Sequence, residues 1–327
     1  MIGYIFRRVL TAIPTILMIM VVGYFIMELP PGDYLTRYMG QLEAQGNSNA
    51  KEQVKMLRIR YGLDEPAIPR FIRWFGNFFK GDFGESFAWG RSVKDVIAPR
   101  IGMTFLLSIV VVTFSWGIGI PIGVYSATKQ YSFLDHLLTL LAFIGLGIPP
   151  FMVTLVLLLL GFSLTGQLLT GFFSQDMLSA PWSMLKFIDL LKHIWIPMVV
   201  AATTGTAWVL RVMRGNLLDE LKVNYVQAAR ARGLSERLVI WKHAVRNALH
   251  PLVMAFGGSF SYTISSFALV SIVLNLPTLD PIYLQATRQQ DIYLAGTILV
   301  LVGFLNVAGN LFADIMLAWL DPRIRFE

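Results

Sequence analysis

The 327-residue chain has no cysteine. That excludes disulfides, thiolate catalysis and cysteine-ligated metals. Charge is scarce as well. Asp, Glu, Lys and Arg make up 14% of the residues, against about 25% in an ordinary soluble domain. The four histidines, His136, His193, His243 and His250, are dispersed, and no His-Glu-x-x-His occurs. No metal site and no catalytic constellation is therefore expected. The Gly-x4-Gly-Lys-Ser/Thr loop that cradles phosphates is missing too, so ATP has no such site in this chain.

What is there is apolar. Hydrophobic residues form 55% of the sequence, and the mean hydropathy is +0.61. A soluble core has too little interior to hide that much apolar surface, whereas a bilayer accepts it. Six stretches lack Asp, Glu, Lys and Arg altogether: 9–27, 101–128, 137–175, 194–210, 247–279 and 292–313. A single charge at the centre of a spanning helix costs roughly 2.5–3.5 kcal/mol, so complete absence marks spans. The stretch 194–210 is the weakest, being short and holding Pro197 and the polar run Thr203-Thr204-Gly205-Thr206. The first follows Arg7 and Arg8 as a signal peptide would. It is long for one, and Glu28-Leu29-Pro30-Pro31 offers no small-x-small cleavage site, so it reads as a retained span.

The net charge of +7 does not point to nucleic acid, because the basic residues cluster beside apolar runs. With one span in 137–175, thirteen Lys and Arg fall in short segments on one face and three on the other. Two spans there would break that asymmetry. The sequence therefore predicts an all-α polytopic protein of about six transmembrane helices with both termini cytoplasmic. Three regions result: residues 1–29 with the first span, an extracytoplasmic segment 30–100, and a five-span core 101–327. In the segment, Phe71, Trp74, Phe75, Phe78 and Phe79 share one helical face flanked by Arg70, Arg73 and Lys80. Such a helix lies in the membrane interface, with Phe71, Trp74 and Phe78 at the headgroup level, or forms the aromatic core of a small soluble lobe.

The largest cytoplasmic piece is 211–250. It reads as a helix from Leu217 to Arg232, closed by Gly233. A second helix follows, N-capped by Ser235 and stopping before Pro251. In span five, Ser259, Tyr262, Thr263 and Ser266 share a face. The stripe fits a polar path and hydroxyl-mediated helix packing equally well, since Ser261 and Ser265 lie on another face. Gly257-Gly258-Ser259 contains the Gly-x-Ser of a serine hydrolase, but small residues in spans usually serve close packing. Asp314, the deepest acid, reads as a helix-end carboxylate paired with Arg323 or Arg325. So few intramembrane charges argue against a proton-coupled or voltage-driven carrier.

One stretch carries a likeness. Tyr225-Val226-Gln227-Ala228-Ala229-Arg230-Ala231-Arg232-Gly233 resembles the Glu-Ala-Ala-x3-Gly loop of binding-protein-dependent ABC importer permeases. His243-Ala244-Val245-Arg246-Asn247-Ala248-Leu249 resembles the B-type subunit of the oligopeptide, dipeptide and nickel branch. Pro31-Gly32-Asp33 after span one, Tyr61-Gly62-Leu63-Asp64 opening an outer helix, Gly81-Asp82-Phe83-Gly84-Glu85-Ser86 and the closing Asp321-Pro322-Arg323-Ile324-Arg325 agree in order and spacing. Gln227 stands where the leading Glu is usual, and Arg246 where Pro is common.

The resemblance implies a type I importer permease in a bacterial cytoplasmic membrane. Residues Tyr225 to Gly233 would dock in a cytoplasmic ATPase, with Ala228, Ala229 and Ala231 permitting close approach. Two ATPase subunits would bind ATP and Mg, this chain carrying no cofactor itself. A second, C-type permease subunit would complete the path, and an extracytoplasmic solute-binding protein would deliver the solute and hold most of the selectivity. Di- and oligopeptides are the default solute, with nickel complexes, glutathione and oligosaccharides as alternatives. A stand-alone carrier or channel would need charged or broken-helix sites at midplane, hinted at by Pro149-Pro150 and Pro197 alone. A membrane enzyme lacks a constellation. Co-purifying ATPase subunits separate the first reading from both.

The charge bias is testable directly because the chain lacks native thiols. An impermeant thiol reagent added outside intact cells should label Ser48→Cys and leave Ser235→Cys untouched. The reverse pattern sinks the topology.

Overall fold

The computed structural model describes residues 2–30, 32–46 and 49–320, and at 2–5, 202, 260, 261, 264–266 and 320 the backbone alone. The expected Asp321–Arg325 motif lies outside the described residues, as do Arg323 and Arg325, the expected partners of Asp314. The elements are α1 (Ile2–Glu28), α2 (Tyr34–Ala44), α3 (Ala50–Tyr61), α4 (Ala67–Phe78), a hairpin of β1 (Glu85–Ser86) and β2 (Arg91–Ser92), and α5 (Val93–Thr128). Then come α6 (Phe133–Gly147), α7 (Pro150–Thr165), α8 (Gln175–Leu178), α9 (Met184–Glu220), α10 (Asn224–Ala231) and α11 (Glu236–Leu238). A π-helical turn (Val239–Ala244), α12 (Val245–Ala248), α13 (His250–Ser266), α14 (Ala268–Val273), α15 (Leu279–Gln289) and α16 (Ile292–Leu320) complete the chain. The all-α expectation holds; the antiparallel hairpin of two-residue strands is too short to show a period in the sequence.

All six apolar stretches are mostly helical. Three helices are long and apolar enough to cross a bilayer alone: Phe6–Glu28, Val93–Thr128 and Ile292–Trp319. Two bent pairs bring the number to five if each is one span, namely α6 with α7 at 103° and the halves of α9 at 45°. The stretch 247–279 is divided at Phe267 into α13, of 17 residues, and the short α14. The sharp α6–α7 bend has a local cause. Ile148 is extended (φ −93°, ψ 126°) because a residue before proline is pushed out of the helical region, and Pro150 opens α7, where its missing N–H costs nothing. The stretch 137–175, expected to hold one span, carries helices of 15 and 16 residues, each short of the roughly 20 needed to cross alone, and their bend is that of a broken span or a re-entrant loop.

The chain forms two compact units, one built on Phe105–Pro277, the other on Arg8–Thr104 with Thr278–Val307. In the first, α5 and α9 pack at backbone distance. A Cβ on Gly119 would lie 2.7 Å from Val209 Cβ, one on Gly123 2.7 Å from Met213 Cβ, and one on Gly205 2.5 Å from Ser115 Oγ. Ser115, Gly119 and Gly123 thus form a ridge of small residues at fourfold spacing, the usual device for helix contact inside a membrane. Against the other side of α9 lies α6, where a Cβ on Gly145 would sit 2.9 Å from the Thr203 carbonyl oxygen. Asp135, 2% exposed, fastens the start of α6 to α9. Its carboxylate accepts from Arg214 Nε at 3.1 Å and Nη2 at 3.0 Å and from the Tyr131 N–H at 3.0 Å.

In the second unit, buried Asp291 joins the hairpin to the corner between α15 and α16. It accepts from Ser86 Oγ at 2.5 Å, the Ala88 N–H at 3.0 Å and the Leu294 N–H at 3.2 Å. Burial pushes its carboxyl above the usual carboxylate range, against the pull of those donors. Gly62, at φ 64°, closes α3; the expected helix after Tyr61–Asp64 begins only at Ala67. The aromatic face of α4 is real, and it packs on the chain's own helices. Trp74 is 3% exposed and packs with Phe71, Phe75 and Phe78 on Met20, Tyr24, Ile292 and Val300. These rings fill the space between the chain's own helices, burying apolar surface against α1 and α16.

The α5–α9 ridge makes a sharp demand. Gly123→Leu should keep expression but lower thermal stability in detergent by about 1–3 kcal/mol, the usual cost of overpacking, since backbone and Met213 Cβ leave no room. Gly117→Leu, with nothing within 4 Å of its position, is the control and should be near neutral.

Candidate functional site

Two places concentrate the residues singled out in the sequence. The first is α10. The expected single helix from Leu217 to Arg232 is two helices, α9 ending at Glu220 and α10 starting at Asn224. The break is stabilised by side chains returning to the exposed end of α9. Gln227 Nε2 donates to the Leu221 carbonyl at 3.0 Å, and Arg230 Nη1 reaches the same oxygen at 3.4 Å. A carboxylate at 227 could not donate that bond. Gly233 adopts φ 74°, the left-handed conformation expected of it. Ser235 is extended as an N-cap should be, though its side chain caps nothing. The second helix then runs through the π turn to Ala248, and Pro251 sits in the first turn of α13.

The faces of α10 differ. Val226 (0% exposed) and Ala229 (6%) enter an apolar cluster with Val124 of α5, Val209, Met213 and Leu217 of α9, Val245 of α12 and Leu252 of α13. Gln227, Ala228, Ala231, Arg232 and Gly233 face outward. The expectation that Ala229 offers close approach to a partner is corrected here. Its methyl faces the chain's own core, and only Ala228 and Ala231 present small side chains outward. Tyr225 is a bracket. Its hydroxyl donates to Glu220 and accepts from Asn247 Nδ2 at 2.9 Å. Burial, then the Glu220 hydrogen bond, pushes the phenol up to about 12, so it stays a donor at every physiological pH. Arg230 pairs with Glu236 at 2.6 Å, and that guanidinium holds the Glu236 carboxyl below its usual range. The pairing is therefore present above the ordinary glutamate pKa and lost as pH falls through the depressed one. Sequence spacing revealed neither Glu220 nor Asn247 nor Glu236 as partners, because the first two contacts depend on the break at Leu221 and the third on how the chain turns at Gly233.

The second place is a cavity of about 320 Å³ in the Phe105–Pro277 unit, lined from α5, α9, α13 and the α6–α7 corner. Ser259, Tyr262 and Thr263 line it; the Ser266 side chain lies outside the described ones. Thr263 donates to the Ser259 carbonyl at 2.8 Å. Across the space stand Ser115, Thr204, Trp116 and Trp208. The Ser115 and Thr204 hydroxyls are buried with no hydrogen-bond partner among the described residues, and no charged side chain is among the lining residues. The sequence had offered a path and a packing role as alternatives; Ser259, Tyr262 and Thr263 border open space here. Thr204, Trp116 and Trp208 had gone unread, although the polar run 203–206 was the visible signal for the first. Gly257 is packing: a Cβ there would overlap Asn310 of α16, which leaves no room for hydrolase chemistry.

A many-helixed membrane bundle with a small-residue, side-chain-bracketed loop helix at one end of its spans defines a class. The chain belongs to the family of binding-protein-dependent transport system inner membrane components, whose profile matches residues 119–326, while the N-terminal profile of the same components matches 1–113. It is a multi-pass ABC importer permease, a transport component and not an enzyme. It is similar to the oligopeptide transport system permease protein AppB of Bacillus subtilis, 35% identical over the whole of both chains. It also resembles the probable peptide ABC transporter permease protein y4tP of Sinorhizobium fredii, at 29% over 99% of each. The peptidoglycan transport system permease protein YejB of Agrobacterium fabrum is 28% identical over 99% of this chain and 98% of its own.

The orientation of Ala229 gives a test that needs no partner. Ala229→Asp should destabilise the isolated chain by at least about 2 kcal/mol, the cost of burying a polar group unpaired, read as thermal unfolding in detergent. Ala228→Asp, on the outward face, should leave that unfolding temperature within error of the unmodified chain.

Proposed function

We propose that this chain is one half of the translocation path of a peptide importer, driven through α10 by a cytoplasmic ATPase. The observation that carries the reading is the placement of Val226 and Ala229 in one apolar cluster with α5, α9 and α13. A push on the outward face of α10 is delivered to three apolar helices at once. In this reading Tyr225, Val226, Gln227, Ala228, Ala229, Arg230, Ala231, Arg232 and Gly233 form the coupling element. Gln227, Ala228, Ala231 and Arg232 supply its outer surface, while Val226 and Ala229 are its root.

Ser259, Tyr262, Thr263 and Ser266 mark the path. The cavity chemistry favours peptide. A hydroxyl both donates and accepts, so Ser259 and Thr263, whose protons go to the Ala255 and Ser259 carbonyls, present oxygen acceptors that do not depend on a peptide's sequence. The absence of charge among the lining residues avoids selecting by side-chain charge. The names of the relatives support the same solute class. The partners of this reading are a C-type permease subunit, two ATPase subunits holding ATP and Mg, and an extracytoplasmic solute-binding protein; this chain needs no cofactor. It resides in a bacterial cytoplasmic membrane with both termini inside, residues 30–100 outside and α10 in the cytoplasm, as the basic-residue bias supports.

Two variants test the coupling. At Gly233 nothing lies within 4 Å of a Cβ, so Gly233→Val costs only the left-handed strain, about 1–2 kcal/mol per residue, and the chain should still insert. Gly233→Val and Ala228→Asp should each weaken ATPase co-purification or let hydrolysis proceed without peptide uptake. Unmodified uptake with full ATPase binding in both would remove α10 from the mechanism.

A further inference from the structure

We propose that α4 is an in-plane membrane anchor whose Ile68–Ile72–Phe79 face enters the lipid layer, fastening the unit built on Arg8–Thr104 to the bilayer surface. The surface of α4 divides into three sectors at about 100° per residue. Phe71, Trp74 and Phe78 face the protein. Ile68, Ile72 and Phe79 form an adjacent stripe and are 62%, 63% and 66% exposed. Arg73, Gly76 and Lys80, also exposed, make the third sector, where Arg73 pairs with Glu65 at 2.5 Å. Packing within the chain explains the first sector and water the third. Neither explains an isoleucine pair on a helix of 12 residues continued by an exposed phenylalanine at its C-cap.

Depth identifies what covers it. The rings of α4 rest on Tyr24 and Met20 of α1, about one and two turns before that span ends at Glu28. They rest also on Val300 of α16, about two turns after that span begins at Ile292. Both neighbours are helices long and apolar enough to cross the membrane. A helix seated at that level on their flank meets the boundary of headgroups and acyl chains with its remaining apolar side, and water with its cationic side. Leu29, just after α1, is 78% exposed as well. The chemistry recognised is the lipid interface itself, and the inference rests on the membrane reading alone, so its failure would leave the transport reading untouched.

The absence of native cysteine allows a direct measurement. Ile72→Cys and Lys80→Cys would each be spin-labelled in the assembled transporter, reconstituted in phosphatidylcholine–phosphatidylglycerol vesicles. Power saturation would then be compared for molecular oxygen, which concentrates in lipid, and a nickel chelate, which stays in water. Expected is a label at 72 relaxed several-fold more by oxygen than by the chelate, with the ratio inverted at 80. Equal chelate access at the two positions would overturn the anchor in favour of an aqueous face. Shielding of position 72 from both reagents would overturn it in favour of a protein partner.

Discussion

The burial of two small apolar side chains, Val226 and Ala229, is the contact on which the working arrangement of this chain depends. Without it, residues 221–249 would be a basic loop between spans, free to move without consequence. With it, the loop helix shares a core with residues of α5, α9, α12 and α13. The rest of the loop serves that seating. Gln227 and Arg230 satisfy the carbonyl left open at the end of α9, an obligation every helix end carries. Tyr225 ties Glu220 to Asn247, so the two flanks of the break are held by one hydroxyl. Gly233 turns the chain without occupying space.

The cavity follows from a conflict between close packing and broken helices. Where α5 meets α9, Ser115, Gly119 and Gly123 bring the backbones together. Where α6 meets α7, the prolines at 149 and 150 force a 103° turn, and helices that part leave space between them. Leu146 and Pro150 line that space from the corner. The Ser115 and Thr204 hydroxyls, both buried beside it, have no hydrogen-bond partner among the described residues. A buried hydroxyl left unpaired costs roughly 1–3 kcal/mol, a standing penalty that water or a passing polar solute would relieve.

Much of this was legible in the sequence, and what was not has physical reasons. The apolar runs located the helices because charge is excluded from a spanning helix at several kcal/mol per residue. Gly233 and the start of a helix after Ser235 were legible from local conformational rules, which do not need a neighbour. The break at Leu221–Val223 was not, since nothing in Leu217–Arg232 disfavours a continuous helix; the break is stabilised by Gln227 and Arg230 only once it exists. The aromatic face of α4 was legible as a face, but periodicity gives no direction. A helix with two adjacent apolar sectors cannot say from its sequence alone which one meets protein. Ala229 shows the same limit: alanine fits a partner's surface and its own core equally well.

Charge placement ties these features together. Several ionic and charge-assisted contacts among the described residues sit at turns and helix ends: Asp135 with Arg214 at the start of α6, Arg230 with Glu236 beyond α10, Glu28 with Arg70 at the end of α1, and Asp291 at the corner before α16. A paired charge is a rigid fastening because the partner left behind by a rupture is costly to bury. Small-residue ridges and hydroxyls, by contrast, line the helices between. Dispersion contacts are each worth little but add up across a close-packed seam, as where Gly119 and Gly123 meet Val209 and Met213. The few charged residues of this sequence are thus spent largely on fastening turns, while small residues and hydroxyls seat the helices against one another.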